Sequence, residues 1–200
     1  MRNEKRWEVV RLGDHLRFVT SGSRGWAKYY SPSGARFIRS LDVQMNHVAD
    51  TDAVFVNAPA GAEAERTRVL LGDVLLTITG SRIGRVAPVD ELDGDAYISQ
   101  HVAILRLADT VSPRYLAMFL SQERGGQHQI REAQYGQTKP GLNLNDIRAF
   151  CVPLPPMGKQ RAFSRVIDTV KDLRRRQSES AEQADALFKS LSQRAFRGEV

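Results

Sequence analysis

Residues 151–157 read Cys151-Val152-Pro153-Leu154-Pro155-Pro156-Met157 and separate two parts of the chain that differ in character. Three prolines within four residues exclude a helix interior and a central strand. The stretch therefore predicts a stiff, extended connector. It divides the chain into a globular domain at 1–152, a connector at 153–158 and a helical region at 159–200.

Downstream of the connector, the chain has no proline from about Lys159 to Arg197, and apolar residues recur at alternating steps of three and four. This is the heptad spacing of a helix with one apolar stripe. Such a helix would be roughly 55 Å long, whereas a small domain is only about 30 Å across. We expect the stripe to pair with a partner helix; the alternative is a helix folded back on its own domain. The stripe residues are Phe163, Val166, Val170, Leu173, Ala184, Leu187 and Leu191, with the polar Gln177 and Ser180 in register between them.

Upstream of the connector, short β-rich runs alternate with turn residues. An apolar face that follows Ser112-Pro113 predicts a helix ending before Gly125-Gly126, and a shorter helix is expected from Leu144 or Asn145 toward Phe150. The fold class is therefore α+β, with a β-rich domain followed by a long C-terminal helix. The predicted strands are Trp7 to Leu12, Arg36 to Ile38, Val54 to Val56, Val74 to Thr79, Arg85 to Val89 and His101 to Leu107.

The composition is that of a globular protein with a basic surface. The chain has 200 residues, 42% of them hydrophobic, and a net charge of +6. A basic chain is a candidate for nucleic-acid binding, although a solvated basic surface is the alternative. The single cysteine, Cys151, excludes an intramolecular disulfide. No apolar run approaches the roughly 18 residues that span a bilayer, and no signal peptide is recognisable, so we expect a cytoplasmic protein without membrane contacts.

Motifs that carry catalysis are missing from the sequence. We find no phosphate-binding glycine loop, no nucleophile elbow and no tetrapeptide of the amino-methyltransferases that act on DNA. The four histidines lie far from one another and from Cys151, which gives no metal-binding spacing. We therefore expect no enzymatic activity, no metal and no cofactor in this chain.

Several strings in a fixed order carry a resemblance to a known family. They are Trp7-Glu8-Val9-Val10-Arg11-Leu12-Gly13-Asp14, Thr20-Ser21-Gly22-Ser23, Phe37-Ile38-Arg39-Ser40-Leu41-Asp42, Leu71-Gly72-Asp73-Val74-Leu75, Ile98-Ser99-Gln100-His101-Val102-Ala103-Ile104-Leu105-Arg106, Ser112-Pro113-Arg114-Tyr115-Leu116, Val152-Pro153-Leu154-Pro155-Pro156, Gln160-Arg161 and Leu191-Ser192-Gln193-Arg194-Ala195-Phe196-Arg197-Gly198-Glu199. Together they resemble one half of a DNA-specificity subunit of type I restriction–modification systems, in which a target-recognition domain is followed by a long helix.

The resemblance implies partners and a mode of assembly. In the family, two such halves pack their helices as an antiparallel coiled coil, each domain reads one part of a split DNA target, and the helices dock methyltransferase subunits that use S-adenosylmethionine. Translocating restriction subunits join that core. This chain would then bind double-stranded DNA and pair with a second copy or with another half; whether it is a natural half-subunit, a fragment or a truncated product stays open. Alternatives are a decoy that binds the methyltransferase without reading DNA, and a recognition domain cut from a fused restriction-and-methylation enzyme.

Polar and basic side chains on glycine-containing loops are the candidates for reading DNA, because loops on a rigid scaffold can approach phosphates and base edges. For Arg36 and Arg39 the alternative is an ion pair with Asp42. For His101 it is a hydrogen-bonded scaffold role, and for Trp7 and Trp26 it is burial in the core or at its rim. The candidates are Ser21, Ser23, Arg24, Lys28, Arg36, Arg39, Thr79, Ser81, Arg82, Arg85, Gln137, Thr138, Lys139 and Asn143.

Overall fold

The computed structural model describes residues 7–135 and 140–197, without the side chain of Lys171. Twelve strands and five α-helices lie within these ranges. The strands are β1 (Val9–Arg11), β2 (Leu16–Ser21), β3 (Tyr30–Ser31), β4 (Ala35–Ile38), β5 (Val43–Gln44), β6 (His47–Val48), β7 (Val54–Val56), β8 (Val74–Thr77), β9 (Val86–Pro88), β10 (Ala96–Ile98), β11 (Val102–Leu107) and β12 (Cys151–Pro153). The helices are α1 (Ala62–Thr67), α2 (Pro113–Ser121), α3 (His128–Gln134), α4 (Leu144–Ala149) and α5 (Met157–Phe196).

Two four-stranded sheets organise the chain upstream of α5. One has the strand order β2-β11-β8-β9 and is antiparallel throughout. The other has the order β10-β4-β7-β3, in which β10 runs parallel to β4. The mixed α+β class expected from the sequence is confirmed, and each of the six predicted strands overlaps an observed one.

The core lies on both faces of the first sheet, because alternate side chains of its central strands point to opposite sides. On one face Leu76 and Leu105 pack with the buried side chains of α2, α3 and α4. On the other face Leu75 and Ile104 pack with residues of the second sheet, among them Ile98. β11 is therefore buried on both faces as well as hydrogen-bonded on both edges.

A buried ion pair joins β11 to the turn that precedes β8. Asp73, only 1% exposed, accepts hydrogen bonds from Nε of Arg106 at 2.8 Å, from its terminal nitrogen at 2.9 Å and from the backbone N–H of Leu70 at 2.7 Å. Arg106 also donates to the carbonyl oxygen of Arg68 at 3.1 Å. Both carboxylate oxygens are thus satisfied inside the fold, which is the condition under which a buried charge is tolerated.

The proline-rich stretch was predicted to be a connector, and the structure shows that its first residues belong to a sheet. Residues 151–153 form β12 and pair antiparallel with β1. β12 has no other sheet partner among the described residues, so Pro153, which lacks an N–H, stands where proline is tolerated in a sheet. The residues that follow lead directly into α5, which begins at Met157 and so two residues earlier than expected.

The chain divides into two compact units, with the boundary between Gln160 and Arg161. At the end of the first unit, the buried Gln160 donates hydrogen bonds to the carbonyl oxygens of Thr110 at 3.0 Å and Pro155 at 2.8 Å. Its Oε1 accepts from the backbone N–H of Ser112 at 2.8 Å. The first turn of α5 is thereby fastened to the residues that begin α2. Within the described residues, no helix combines the length and the apolar character needed to cross a bilayer.

The Asp73–Arg106 pair makes a testable prediction. Asp73→Ala leaves a half-buried guanidinium and a backbone N–H without their acceptor, so we expect the free energy of unfolding to fall by about 3–5 kcal/mol. Asp90→Ala is the matched control, because it removes the carboxylate from a more exposed ion pair with Arg114; it should cost about 1 kcal/mol or less. Urea unfolding followed by circular dichroism measures both, and equal losses would contradict the assignment.

Candidate nucleic-acid interface

The turn Ser99-Gln100-His101, between β10 and β11, is the place where the candidate stretches of the sequence meet. The N–H of Ser99 donates to the carbonyl oxygen of Ile38 at the end of β4, at 2.9 Å, and the N–H of Gly22 donates to that of Val102 at 3.2 Å. The N–H of Ile78 donates to the carbonyl oxygen of His101 at 2.9 Å. The ends of β2, β4 and β8 therefore lie around this turn.

The stretch 135–143, which carries the candidates Gln137, Thr138, Lys139 and Asn143, joins the same place through Gly141 and Leu142. The N–H of Leu142 donates to the carbonyl oxygen of Ile78 at 2.9 Å, and Gly141 forms a bridge with Thr79. Loops separated by as many as 120 residues in the sequence are thus brought to one end of the sheets. Loops held at one end of a rigid sheet are a common position for binding residues.

Gly22 allows the loop after β2 to approach the turn closely. A Cβ at this position would lie 2.3 Å from the carbonyl oxygen of Ser99, which no side chain can do. The next residue, Ser23, forms a bridge with Ser99. Because Gly22 has no side chain, the backbone can run this close to the turn as far as Ser23.

Arg66 of α1 holds the same loop from its other side. Its guanidinium donates to the Oγ1 of Thr20, to the carbonyl oxygen of Ser21 at 2.6 Å and to the Oγ of Ser23 at 2.7 Å. Two of the predicted DNA-contacting residues, Ser21 and Ser23, thus face a protein side chain. Arg66 could not be predicted from the sequence as part of this site, because α1 is a six-residue helix without apolar periodicity and no local pattern points from it to β2.

Arg24 and Lys28 extend from this loop into solvent. Both are exposed, and the guanidinium of Arg24 has no hydrogen bond or ion pair with the described residues. The ammonium of Lys28 lies 4.9 Å from the centre of the Tyr29 ring. Trp26, between them, is buried and stacks on Phe37 at a centroid distance of 5.3 Å, so it belongs to the core.

The loop after β8 is positioned by a short chain of polar side chains. The Oγ1 of Thr79 lies 2.5 Å from Nδ1 of His101, and the Nε2 atoms of His101 and Gln100 lie 3.0 Å apart. His101 thus has the hydrogen-bonded scaffold position that was the alternative to base reading. Beyond Thr79, Ser81 is exposed and the half-buried Arg82 makes no side-chain hydrogen bond with the described residues.

Three predicted arginines are engaged by the segment 42–50 and its neighbours. Arg39 donates to both carboxylate oxygens of the buried Asp42, at 3.1 and 2.8 Å, and this hydrogen bonding raises the pKa of Arg39 above its ordinary value. Arg36 pairs with Asp50 and with the carbonyl oxygen of Ala49, and Arg85 donates to Oε1 of Gln44. These guanidiniums stabilise the protein's own loops. The ion pair with Asp42 that was the alternative for both Arg36 and Arg39 forms at Arg39, whereas Arg36 pairs with Asp50 instead.

Asn143 serves as the N-cap of α4. Its Oδ1 accepts from the backbone N–H groups of Asn145 at 2.8 Å and Asp146 at 2.9 Å, while its own N–H donates to the carboxylate of Asp146 at 2.8 Å. This capping box occupies the amide oxygen that bidentate reading of adenine would need. Gln137, Thr138 and Lys139, the other candidates of this stretch, lie outside the described residues.

The apolar stripe of α5 is a second candidate surface. All seven predicted stripe residues are exposed, and the six larger ones range from 39% for Phe163 to 61% for Leu187. Rows of exposed apolar side chains on one helix face, here interrupted only by Gln177 and Ser180, are typical of an interaction surface.

Comparisons with known proteins identify relatives along most of the chain. A family model described as the type I restriction modification DNA specificity domain matches residues 4–183. A curated relative, the type I restriction enzyme EcoBI specificity subunit of Escherichia coli, is 24% identical over 174 residues, which are 84% of this chain and 36% of that protein. The chain thus spans about a third of the length of this relative.

Solved structures have a similar fold. The HsdS subunit from Thermoanaerobacter tengcongensis superposes with a TM-score of 0.58 at 23% identity, over 97% of this chain and 46% of that one. A chain of a type I R-M system, from work on its complex assembly and conformational transition, superposes with a TM-score of 0.65 at 23% identity and the same coverage. Because the family model covers nine-tenths of the sequence, the chain belongs to the type I restriction modification DNA specificity domain family.

Proposed function

We propose that this chain is a sequence-specific DNA-recognition component of a type I restriction–modification complex and has no catalytic activity of its own. Its first unit binds double-stranded DNA through the loops around Ser99–His101. Its helix α5 joins it to a second recognition half, so that the assembly reads a split target. A methyltransferase subunit that carries S-adenosylmethionine, together with a restriction subunit, supplies the chemistry.

The observation that supports this proposal is that the basic side chains fall into two groups, those bound within the protein and those available to a ligand. Arg36, Arg39 and Arg85 bind groups of the protein itself, whereas Arg24, Lys28 and Arg82 remain available on loops that meet at one end of the sheets. Cations that no carboxylate of the protein neutralises are the groups that can neutralise DNA phosphates. Two buried polar atoms at the same turn, Ser99 Oγ and Gln100 Oε1, also have no hydrogen-bond partner among the described residues.

The experiment that tests the proposal is selection of bound duplexes from a random-sequence pool by the purified full chain. We expect enrichment of a defined sequence, because side chains fixed on loops distinguish base edges. Enrichment of no sequence, together with co-purification of the methyltransferase subunit, would support the decoy alternative.

Arg24 gives a prediction about salt dependence. Arg24→Ala should weaken binding to the selected duplex and reduce the slope of log affinity against log salt concentration by about one, since one phosphate contact is lost. Arg17→Ala is the matched control, because Arg17 is also exposed but lies near the opposite end of β2, paired with Asp109. Gel shifts in about 50 to 200 mM KCl measure both slopes, because phosphate contacts are sensitive to salt in this range. An identical response of the two variants would contradict the placement of the interface.

Arg66 gives a prediction about how its effect on DNA binding depends on Arg24. Because its guanidinium orders the residues just before Arg24, Arg66→Ala should weaken DNA binding through the loop and without a direct contact. The double variant should then bind within about twofold of Arg24→Ala alone, since residues that act through one another are not additive. Binding losses that add fully in the double variant would show that Arg66 acts independently of Arg24.

A further inference from the structure

Gln100, His101 and Thr79 form a row of hydrogen-bonded side chains at the turn between β10 and β11. Nε2 of Gln100 lies 3.0 Å from Nε2 of His101, and Nδ1 of His101 lies 2.5 Å from Oγ1 of Thr79. We propose that this polar row makes the hydroxyl of Thr79 a hydrogen-bond donor to an acceptor atom of bound DNA, with Gln100 and His101 as its positioning residues. The inference deepens the proposed function and rests on it for the binding of a duplex at this turn.

The amide of Gln100 sets the direction of the polar row. An amide nitrogen carries hydrogens and accepts none, so Nε2 of Gln100 donates to Nε2 of His101. This ring nitrogen is therefore the one without a hydrogen. A neutral imidazole then carries its hydrogen on Nδ1, which is the atom that faces Thr79.

The hydroxyl of Thr79 is the end of the polar row. Its oxygen accepts the hydrogen of Nδ1, and its own hydrogen must then point to a different atom. Within residues 7–135 and 140–197, the side chain of Thr79 has no hydrogen-bond partner other than His101. The hydroxyl hydrogen is therefore available to an acceptor on a ligand.

Thr79 lies where DNA can reach it. Its side chain is half-buried, and the next residue, Gly80, is exposed, with no atom within 4 Å of the position that a Cβ would take. The backbone is held on both sides, because the N–H of Ile78 donates to the carbonyl oxygen of His101 and Thr79 forms a bridge with Gly141. A hydroxyl that is fixed in place and direction distinguishes acceptors from donors, whereas a freely rotating hydroxyl binds both.

Duplex DNA offers such a donor two kinds of acceptor. Phosphate oxygens carry no sequence information, whereas N7 and O6 of guanine, N7 of adenine and O4 of thymine identify a base in the major groove. The amino groups of adenine and cytosine would meet the hydrogen of Thr79 with hydrogens of their own, and the polar row disfavours them. Thr79 thus recognises the direction of a hydrogen bond, which the charges of Arg24 and Lys28 do not do.

The reverse direction needs a different arrangement of the same side chains. If the hydrogen of His101 were on Nε2, the ring would need Oε1 of Gln100 as its acceptor, and Thr79 would donate to Nδ1. Oε1 of Gln100 is instead buried without a hydrogen-bond partner among the described residues. The two directions therefore differ in which nitrogen of His101 carries the hydrogen, and this difference can be measured.

The hydrogen on the His101 ring tests the polar row without DNA. In the full chain with isotope-labelled histidine, NMR correlations between the ring nitrogens and the carbon-bound ring hydrogens distinguish the two neutral forms. We expect the hydrogen on Nδ1, and His101→Asn identifies the signals by their loss. Gln100→Glu replaces the amide by a carboxylate, which only accepts, so Nε2 should gain a hydrogen. A hydrogen on Nε2 in the unchanged chain, or none there in Gln100→Glu, overturns the inference.

Binding to the selected duplex tests the donor. Thr79→Val keeps the shape of the side chain without its hydroxyl, so affinity should fall about fivefold to tenfold, as for the loss of one hydrogen bond. Thr79→Ser keeps the hydroxyl and should bind within about threefold of the unchanged chain. Thr110→Val is the matched control, because Oγ1 of Thr110 lies 2.8 Å from Nδ1 of His15 at the opposite end of β2 and β11. Its affinity should equal that of the unchanged chain.

Selection from the random pool by Thr79→Val identifies the acceptor. Loss of preference at one position indicates a base edge, whereas the same enriched sequence at lower affinity indicates a phosphate, and both support the donor role. Equal binding by Thr79→Val and the unchanged chain, or an equal loss in Thr79→Ser, overturns the donor role although DNA recognition stands. A chain that selects no duplex overturns the proposed function as well. The NMR measurement on His101 decides the direction of the row even if Thr79→Val is unstable.

Discussion

The backbone pairing of β11 on both of its edges is the constraint on which the rest of the first unit depends. β2 and β8 occupy the two edges, and the helices and the second sheet cover the two faces. A strand enclosed in this way must be apolar, and its single charged residue, Arg106, is accepted only because Asp73 meets it. Because β11 is held on both edges, the turn that precedes it has a fixed position. The loops that are hydrogen-bonded to this turn are therefore held in place as well.

The elements that could be predicted are those with a long apolar run or an explicit boundary signal. The strands at 74–77 and 102–107 and the helix that begins at Pro113 are examples. α1, α3 and β10 are seven residues or fewer, too short for a periodic apolar pattern to indicate them. β12 was not predicted, because Pro153 lies within it and because the pairing of residues 151–153 with β1 depends on a strand about 140 residues away.

The candidate site was predictable as a set of loops but not as a set of side chains. Glycines and polar residues indicated where loops would lie, and these loops do come together. Which arginine remains available depends on whether a carboxylate or amide lies within reach after folding. Arg39 binds Asp42, which lies three residues later in the sequence. Arg85 binds Gln44, which lies 41 residues earlier, in strand β5. Only the first of these contacts can be anticipated from the sequence, because only there is the acceptor a near neighbour along the chain.

In the loop after β2, the close approach of the backbone at Gly22 marks the position at which the amino acid cannot be exchanged, whereas other positions can vary. A side chain at Gly22 would collide with the backbone at Ser99, so substitutions there disturb the sheet itself. Three residues later, a Cβ on Gly25 would meet no atom within 4 Å, although its φ of +87° favours glycine. Variation at Arg24, whose side chain is exposed, therefore leaves the scaffold intact. A protein built in this way can diversify what its loop contacts over evolution while the fold beneath is conserved.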